Sequence, residues 1–248
     1  KAAENYLAPR KDVYEFSISL DQPGITNQKR SGRCWMFAGL NFLRYHLIKN
    51  INVQDFELSQ NYTLFYDKLE KANWFLENII HTADEPVHSR VLDYLLMAPL
   101  NDGGQWDMLA ALITKYGLVP KTAMPETESS SNTGAMDKYM TTKLREFACV
   151  LRDGAHEGKT LGELEAMKEE MMETIYRMLC ISLGNPPKTF TFEYTDKDKN
   201  FHRDENLTPK EFVEKYIRVD VRDYVSIINA PTADKPYHRS YTVKLLGN

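Results

Sequence analysis

Trp35, Ala38, Phe42 and Tyr45, with Leu43 and Leu47 beside them, recur at three- and four-residue steps directly behind the turn Ser31-Gly32-Arg33-Cys34. That spacing predicts a helix beginning near Gly32, with an apolar stripe too wide to rest on a surface, so other elements must wrap around it. The same spacing sets a cysteine at the N-terminus of a deeply packed helix. Amide dipoles at such a position, and here the neighbouring Arg33, favour a thiolate.

The rest of the chain supplies the partners such a helix needs. Ser59 reads as the N-cap of a second helix, with Tyr62, Phe65, Leu69, Leu76 and Ile79 or Ile80 facing inward. A short helix near 87–97 stops at Pro99, and Asn101-Asp102-Gly103-Gly104 forms a turn ahead of a helical pattern over 105–116 closed by Gly117. Two long helical patterns cover about 135–153 and 161–183, the second ending in Gly184-Asn185-Pro186-Pro187. Between these blocks, 126–135 (ETESSSNTGA) is polar and low in complexity, and reads as a flexible loop.

Strands are expected at 12–20, which partly alternates, and at 189–194, 224–229 and 241–246, with a helix start at Thr208-Pro209-Lys210-Glu211. The class is therefore α+β. The expected division is 1–125, which contains the Cys34 turn, 126–230, mainly helical with a short strand, and 231–248, the start of a further unit.

Composition excludes several functions. No apolar run approaches the roughly 18 residues of a membrane span, and Lys1–Arg10 lacks the apolar centre of a signal peptide, so the expected compartment is the cytoplasm, without membrane partners. A net charge of −4 argues against a broad cationic surface for nucleic acid. The best basic cluster, Lys197–Arg203 (KDKNFHR), is interrupted by Asp198 and reads as a solvated loop, weak support for a nucleic-acid partner. Cys34, Cys149 and Cys180 are too few and too dispersed for a disulfide framework or a metal knuckle; no metal or cofactor is expected. The lack of Cys-x-x-Cys speaks against a thiol–disulfide oxidoreductase.

Cys34 is the candidate nucleophile, while Cys149 and Cys180 fall within apolar helical patterns and read as inert. Gln28, six residues ahead, offers a side-chain amide that can join the Cys34 N–H in stabilising a tetrahedral oxyanion. Together, Gln28, Ser31-Gly32-Arg33-Cys34-Trp35 and the apolar helix behind them resemble the papain-like cysteine peptidases. The segments Ile25–Ala38, Asn101–Asp107, Leu183–Pro187 and Asn229–Tyr237 are similar to the branch containing bleomycin hydrolase and the bacterial aminopeptidases C.

The resemblance implies a papain-like fold in which Cys34 is acylated and Gln28 donates to the oxyanion, with Gly103 and Gly104 offering backbone to an extended peptide substrate. It also implies a cytoplasmic aminopeptidase forming a homohexamer. Trp35 and Trp106 are expected to be core residues rather than substrate contacts.

One part of that machinery is missing from the sequence. A cysteine nucleophile needs a histidine base, oriented by an asparagine or a similar group. His46 lies twelve residues beyond Cys34 on the same helix, which at about 1.5 Å per residue separates them by about 18 Å. His81, His88, His156, His202 and His238 fall at helix ends or in polar connections. In the resembled family the histidine and an Asn-Ser-Trp asparagine come from a later, β-rich half, and this sequence has no Asn-Ser-Trp. With Lys1 as its first residue, the chain is expected to be a piece of a longer protein, inactive by itself. The competing expectation is a non-catalytic, peptidase-like scaffold.

Overall fold

The computed structural model describes residues 15–18, 23–225, 232, 233, 236, 238 and 239. Helix α1 (Cys34–Ile51) buries Met36, Phe37, Leu40, Leu43, Leu47 and Ile51. This face is rotated from the expected one: Ala38 is exposed, and Trp35, Phe42 and Tyr45 are half-buried. The stripe holds two apolar rows, and the inner one makes the core. The second row lies along an aromatic edge, where Phe42 meets Trp106 at 6.0 Å and Tyr224 at 5.2 Å.

Helix α2 (Gln60–His81) is the centre of the molecule. It packs against α1, α3 (Arg90–Met97), α4 (Trp106–Tyr116), α6 (Gly134–His156) and α7 (Leu161–Leu183). Surrounded in this way, it buries Leu64, Phe65, Ala72, Phe75, Leu76 and Ile79 completely. Ser59 caps it as expected, its hydroxyl accepting from the Tyr62 N–H at 3.0 Å.

The two long helical patterns are present as α6 and α7. Met136, Met140, Leu144, Ala148 and Leu151 line one, and Leu164, Met171, Ile175, Leu179 and Leu183 the other. Lys168 sits in the α7 stripe, nearly buried, and ties it to α2 through Glu77 at 2.6 Å.

The readings of two polar segments fail. The 126–135 stretch is not a flexible loop: Glu128–Ser131 is a helical turn, α5, closed by reciprocal bonds between Thr127 and Ser130, and Ser130 is fully buried. Hydrogen bonds order this segment where apolar burial does not, so composition alone misreads it. The Lys197–Arg203 cluster is not a loop throughout, because β2 (Phe201–Leu207) begins within it and pairs antiparallel with β1 (Phe190–Thr195). Charged residues on both faces of this exposed strand mask its alternation. A bulge between Phe190 and Phe192 includes the left-handed Asn206 (φ 59°).

Phe192 anchors the hairpin against Phe56, Phe212 and Tyr216. The expected helix start at Thr208–Glu211 is present, closed by a capping box between Thr208 and Glu211, and opens α8 (Pro209–Phe212), which runs into a π-helical turn over Val213–Ile217. Of the expected strand 12–20, residues 15–18 are described and form no strand. In 224–229 only Tyr224 and Val225 are described, outside any strand, and 241–246 lies outside the described residues.

Candidate active site

Cys34 is the first residue of α1 and is exposed. The N-cap residue, Arg33, provides no side-chain cap, and the first main-chain bond of the helix runs from the Phe37 N–H to the Arg33 carbonyl at 2.9 Å. The N–H groups at the start of the helix point toward the Cys34 end and the Arg33 side chain places no cap across them, which suits a site for developing negative charge.

Arg33 cannot cap because it faces the other way. Its guanidinium is 1% exposed, donates to both Glu126 carboxylate oxygens at 3.0 and 2.8 Å, and stacks on the Phe37 ring. The expectation that Arg33 assists the thiolate is thus corrected: its charge is paired with Glu126. Its Nε donates to the Ser31 hydroxyl at 2.7 Å, and that hydroxyl donates to the Gln28 carbonyl at 2.7 Å. This relay folds Gln28 back toward the residue preceding Cys34.

Gln28 is half-buried, and its Oε1 is buried without a hydrogen-bond partner among the described residues. Lys29 follows in a left-handed conformation (φ 53°), with its N–H donating to Asn27 Oδ1 at 2.8 Å. Arg30 N–H donates to the Ser131 carbonyl at 3.0 Å, bringing α5 against the turn. An unpartnered buried amide oxygen next to a strained, non-glycine backbone marks a turn shaped for something other than stability.

The two glycines of the Asn101–Gly104 loop differ. A Cβ on Gly104 would lie 2.4 Å from Trp35 Cε2, so the indole beside Cys34 occupies the space where a side chain would be. A Cβ on Gly103 would meet only Asn101 Oδ1, at an ordinary 3.5 Å. Trp35 is half-buried, neither core nor free, and its indole N–H donates to the Asp102 carbonyl at 2.7 Å.

Beneath the loop, α2 presents two lysines. Lys68, fully buried, reaches Asp102 Oδ1 at 2.6 Å and the Asn101 carbonyl at 3.1 Å, and its ammonium lies 2.9 Å from Asp137 on α6. The Asp137 contact has ion-pair distance without hydrogen-bond alignment. Lys71 donates to Asp67 at 2.8 Å and to the carbonyls of Asn101 and Gly103 at 2.9 and 2.7 Å.

Burial pushes the Asp102 carboxyl up, but the Lys68 ammonium and the Gly32 N–H more than reverse this and hold it well below the usual carboxylate range. Burial also pushes Asp137 up to about 6, against the pull of Lys68, and the adjacent Asp102 adds to the rise. Asp67 is raised by burial, and Lys71 is lowered by burial against the pull of Asp67.

Comparison with known proteins shows the family of the chain. The family model described as "Peptidase C1-like family" matches residues 1–248. The chain belongs to that family. A peptidase C1-like relative, aminopeptidase C of Lactobacillus delbrueckii subsp. lactis, is 50% identical over 233 residues, covering 94% of this chain and 52% of the relative. Bleomycin hydrolase of Rattus norvegicus is 42% identical over 240 residues, covering 95% and 53%. The crystal structure of PepW from Lactobacillus rhamnosis HN001 superposes with a TM-score of 0.91 at 52% identity, covering 95% of this chain and 53% of that one. The resemblance read from the sequence holds, and the fold is papain-like. The chain spans about half the length of the curated relatives it matches.

Within this peptidase C1-like chain the other candidate groups are engaged elsewhere. His46 packs its ring against Phe42 and Tyr45, His156 bonds the Ala83 carbonyl at 3.2 Å, and His202 pairs with Asp196 at 2.9 Å. Cys180 is half-buried and its thiol is pushed up by burial. Cys149, expected inside an apolar stripe, is exposed on α6. No helix among the described residues is long and apolar enough to cross a membrane.

Sequence reasoning missed Glu126, Thr133 and Asp137, and gave no role to Lys68 or Asp102. A signal for Lys68 existed: it stands on the buried face of α2, three residues after Phe65 and four before Ala72, where a charge persists only if paired.

Proposed function

We propose that this chain is the nucleophile-bearing half of a cysteine aminopeptidase that removes N-terminal residues from peptides. The observation that carries the reading is an exposed cysteine at the uncapped start of α1, behind a turn already fixed by buried hydrogen bonds. The names of its relatives, aminopeptidase C and bleomycin hydrolase, support the same reaction class.

In the proposed reaction the Cys34 sulfur attacks the scissile carbonyl carbon. The resulting oxyanion is met by the Cys34 N–H and the Gln28 side-chain amide. As the carbon–nitrogen bond breaks, the leaving amine takes a proton from an imidazolium, and a thioester remains on Cys34 until water hydrolyses it. Gly103 and Gly104 lie along the extended substrate. The imidazole and its orienting asparagine are proposed to come from residues beyond this sequence, as in the resembled family. A cytoplasmic homohexamer belongs to the same proposal on family resemblance alone; sedimentation of the native protein tests the assembly.

The test is turnover of aminoacyl reporter substrates by the native protein. Cys34→Ser should reduce kcat by at least about 10³-fold with an unchanged fold. The 248-residue chain alone should show no steady hydrolysis. Full turnover by Cys34→Ser would refute the assignment of the nucleophile.

A further inference from the structure

We infer that Asp102 is the positioning residue of the nucleophile, holding the backbone ahead of Cys34 at Gly32 and the side chain behind it at Trp35; this rests on the reading of Cys34 given above. Its Oδ2 accepts from the Gly32 N–H at 2.8 Å, two residues before the cysteine. Its carbonyl accepts from the Trp35 indole at 2.7 Å, one residue after it. A single residue thus grips the chain before and after the thiol.

The grip depends on a reciprocal fit. A Cβ on Gly32 would lie 2.6 Å from Asp102 Cβ, just as a Cβ on Gly104 would collide with Trp35. The nucleophile turn omits a side chain to admit Asp102, and the Gly103–Gly104 shelf omits one to admit Trp35. The two loops interlock, so displacement of the shelf displaces the Cys34 N–H that the oxyanion requires.

Asp102 is itself held by two side chains, Lys68 and Thr133. Lys68 on α2 engages Oδ1, the Thr133 hydroxyl donates to Oδ2 at 2.7 Å, and Lys68 fixes the preceding carbonyl of Asn101. An ionised acceptor binds N–H donors more strongly than a neutral one, which suits a group that must keep a helix-start backbone in place while a substrate strains against it. Displacements of about 1 Å, even from groups remote from the reacting atoms, can cost about 10²-fold in rate.

The experiment measures kcat per titrated active site in the native protein, using a thiol-directed probe to count competent sites. Asp102→Ala should lower kcat per site about 10²-fold, whereas Asp102→Asn, which keeps an oxygen for the Gly32 N–H, should recover about tenfold of that loss. Thr133→Val removes one donor to the same oxygen and should cost about threefold; it keeps the inference testable if Asp102→Ala does not fold. A merely structural role would reduce the number of titratable sites and leave the rate of each unchanged, and that result overturns the inference. Turnover surviving in Cys34→Ser would instead overturn the nucleophile assignment, whatever the Asp102 variants do.

Discussion

The nucleophile turn and the α6–α7 layer are both well ordered, but by opposite means. From Gln28 to Cys34 the chain is fixed by directional bonds: Arg33 to the Glu126 carboxylate, the Gly32 N–H to the Asp102 carboxylate, and the Arg30 N–H to the Ser131 carbonyl. Across α6 and α7 the order comes from apolar stripes such as Met140, Leu144, Ile175 and Leu179, each almost completely buried. Apolar burial is non-directional and spread over many residues, so one loss lowers stability without redirecting any atom. A directional network has few members, and the loss of one both destabilises and misaims.

The largest stability effect should follow removal of Glu126. In Glu126→Ala the Arg33 guanidinium is left buried and unpaired, at a cost of about 3–5 kcal/mol, and kcat per titrated site should also fall. Chemical denaturation together with active-site titration checks both.

Leu144→Ala should cost about 2–4 kcal/mol while leaving kcat per site within about twofold of the parent. A larger drop would break the separation between the two regions.

Asp137 lies where the regions join, reaching from α6 to the lysine under the shelf. A folded-state pKa of about 6 against an ordinary 3.8 means that the folded protein binds this proton more tightly than the unfolded chain. The resulting stability is fully present below about pH 4 and is lost as pH rises through 6. Asp137→Asn cannot ionise, so its stability relative to the parent should rise between pH 4 and pH 7, on the order of 2 kcal/mol. A pH-independent difference would remove Asp137 from the buried charge network.

The smallest effect belongs to Lys143→Ala. Its pairing with Glu146 on the α6 surface is partly exposed, and its loss should shift stability by less than about 0.5 kcal/mol.

The contrast also explains what could be read from the sequence. The α6 and α7 stripes, the Ser59 and Thr208 caps and the Pro209 start are local patterns, and each is present where its spacing predicts. Cys34 at a helix start was equally legible, as was a close approach at the glycine pair, which the structure shows at Gly104 and not at Gly103. The support of the turn was not. Asp102 meets Lys68, Thr133 and Gly32 across 34, 31 and 70 residues of chain, and no local periodicity encodes such meetings. The polar run at 126–135 failed in part for the same reason: beside its local Thr127–Ser130 bonds it is held by Arg33 and Arg30, nearly a hundred residues away. Strand β2 was hidden because both of its faces carry charge.

The most direct measurement is mass-spectrometric mapping of the native protein after treatment with an aminoacyl chloromethyl ketone. One label per chain is expected, on Cys34, appearing in step with the loss of turnover and leaving Cys149, which is also exposed, unmodified. Labelling divided between Cys34 and Cys149, or full turnover by protein alkylated at Cys34, would contradict Cys34 as the nucleophile.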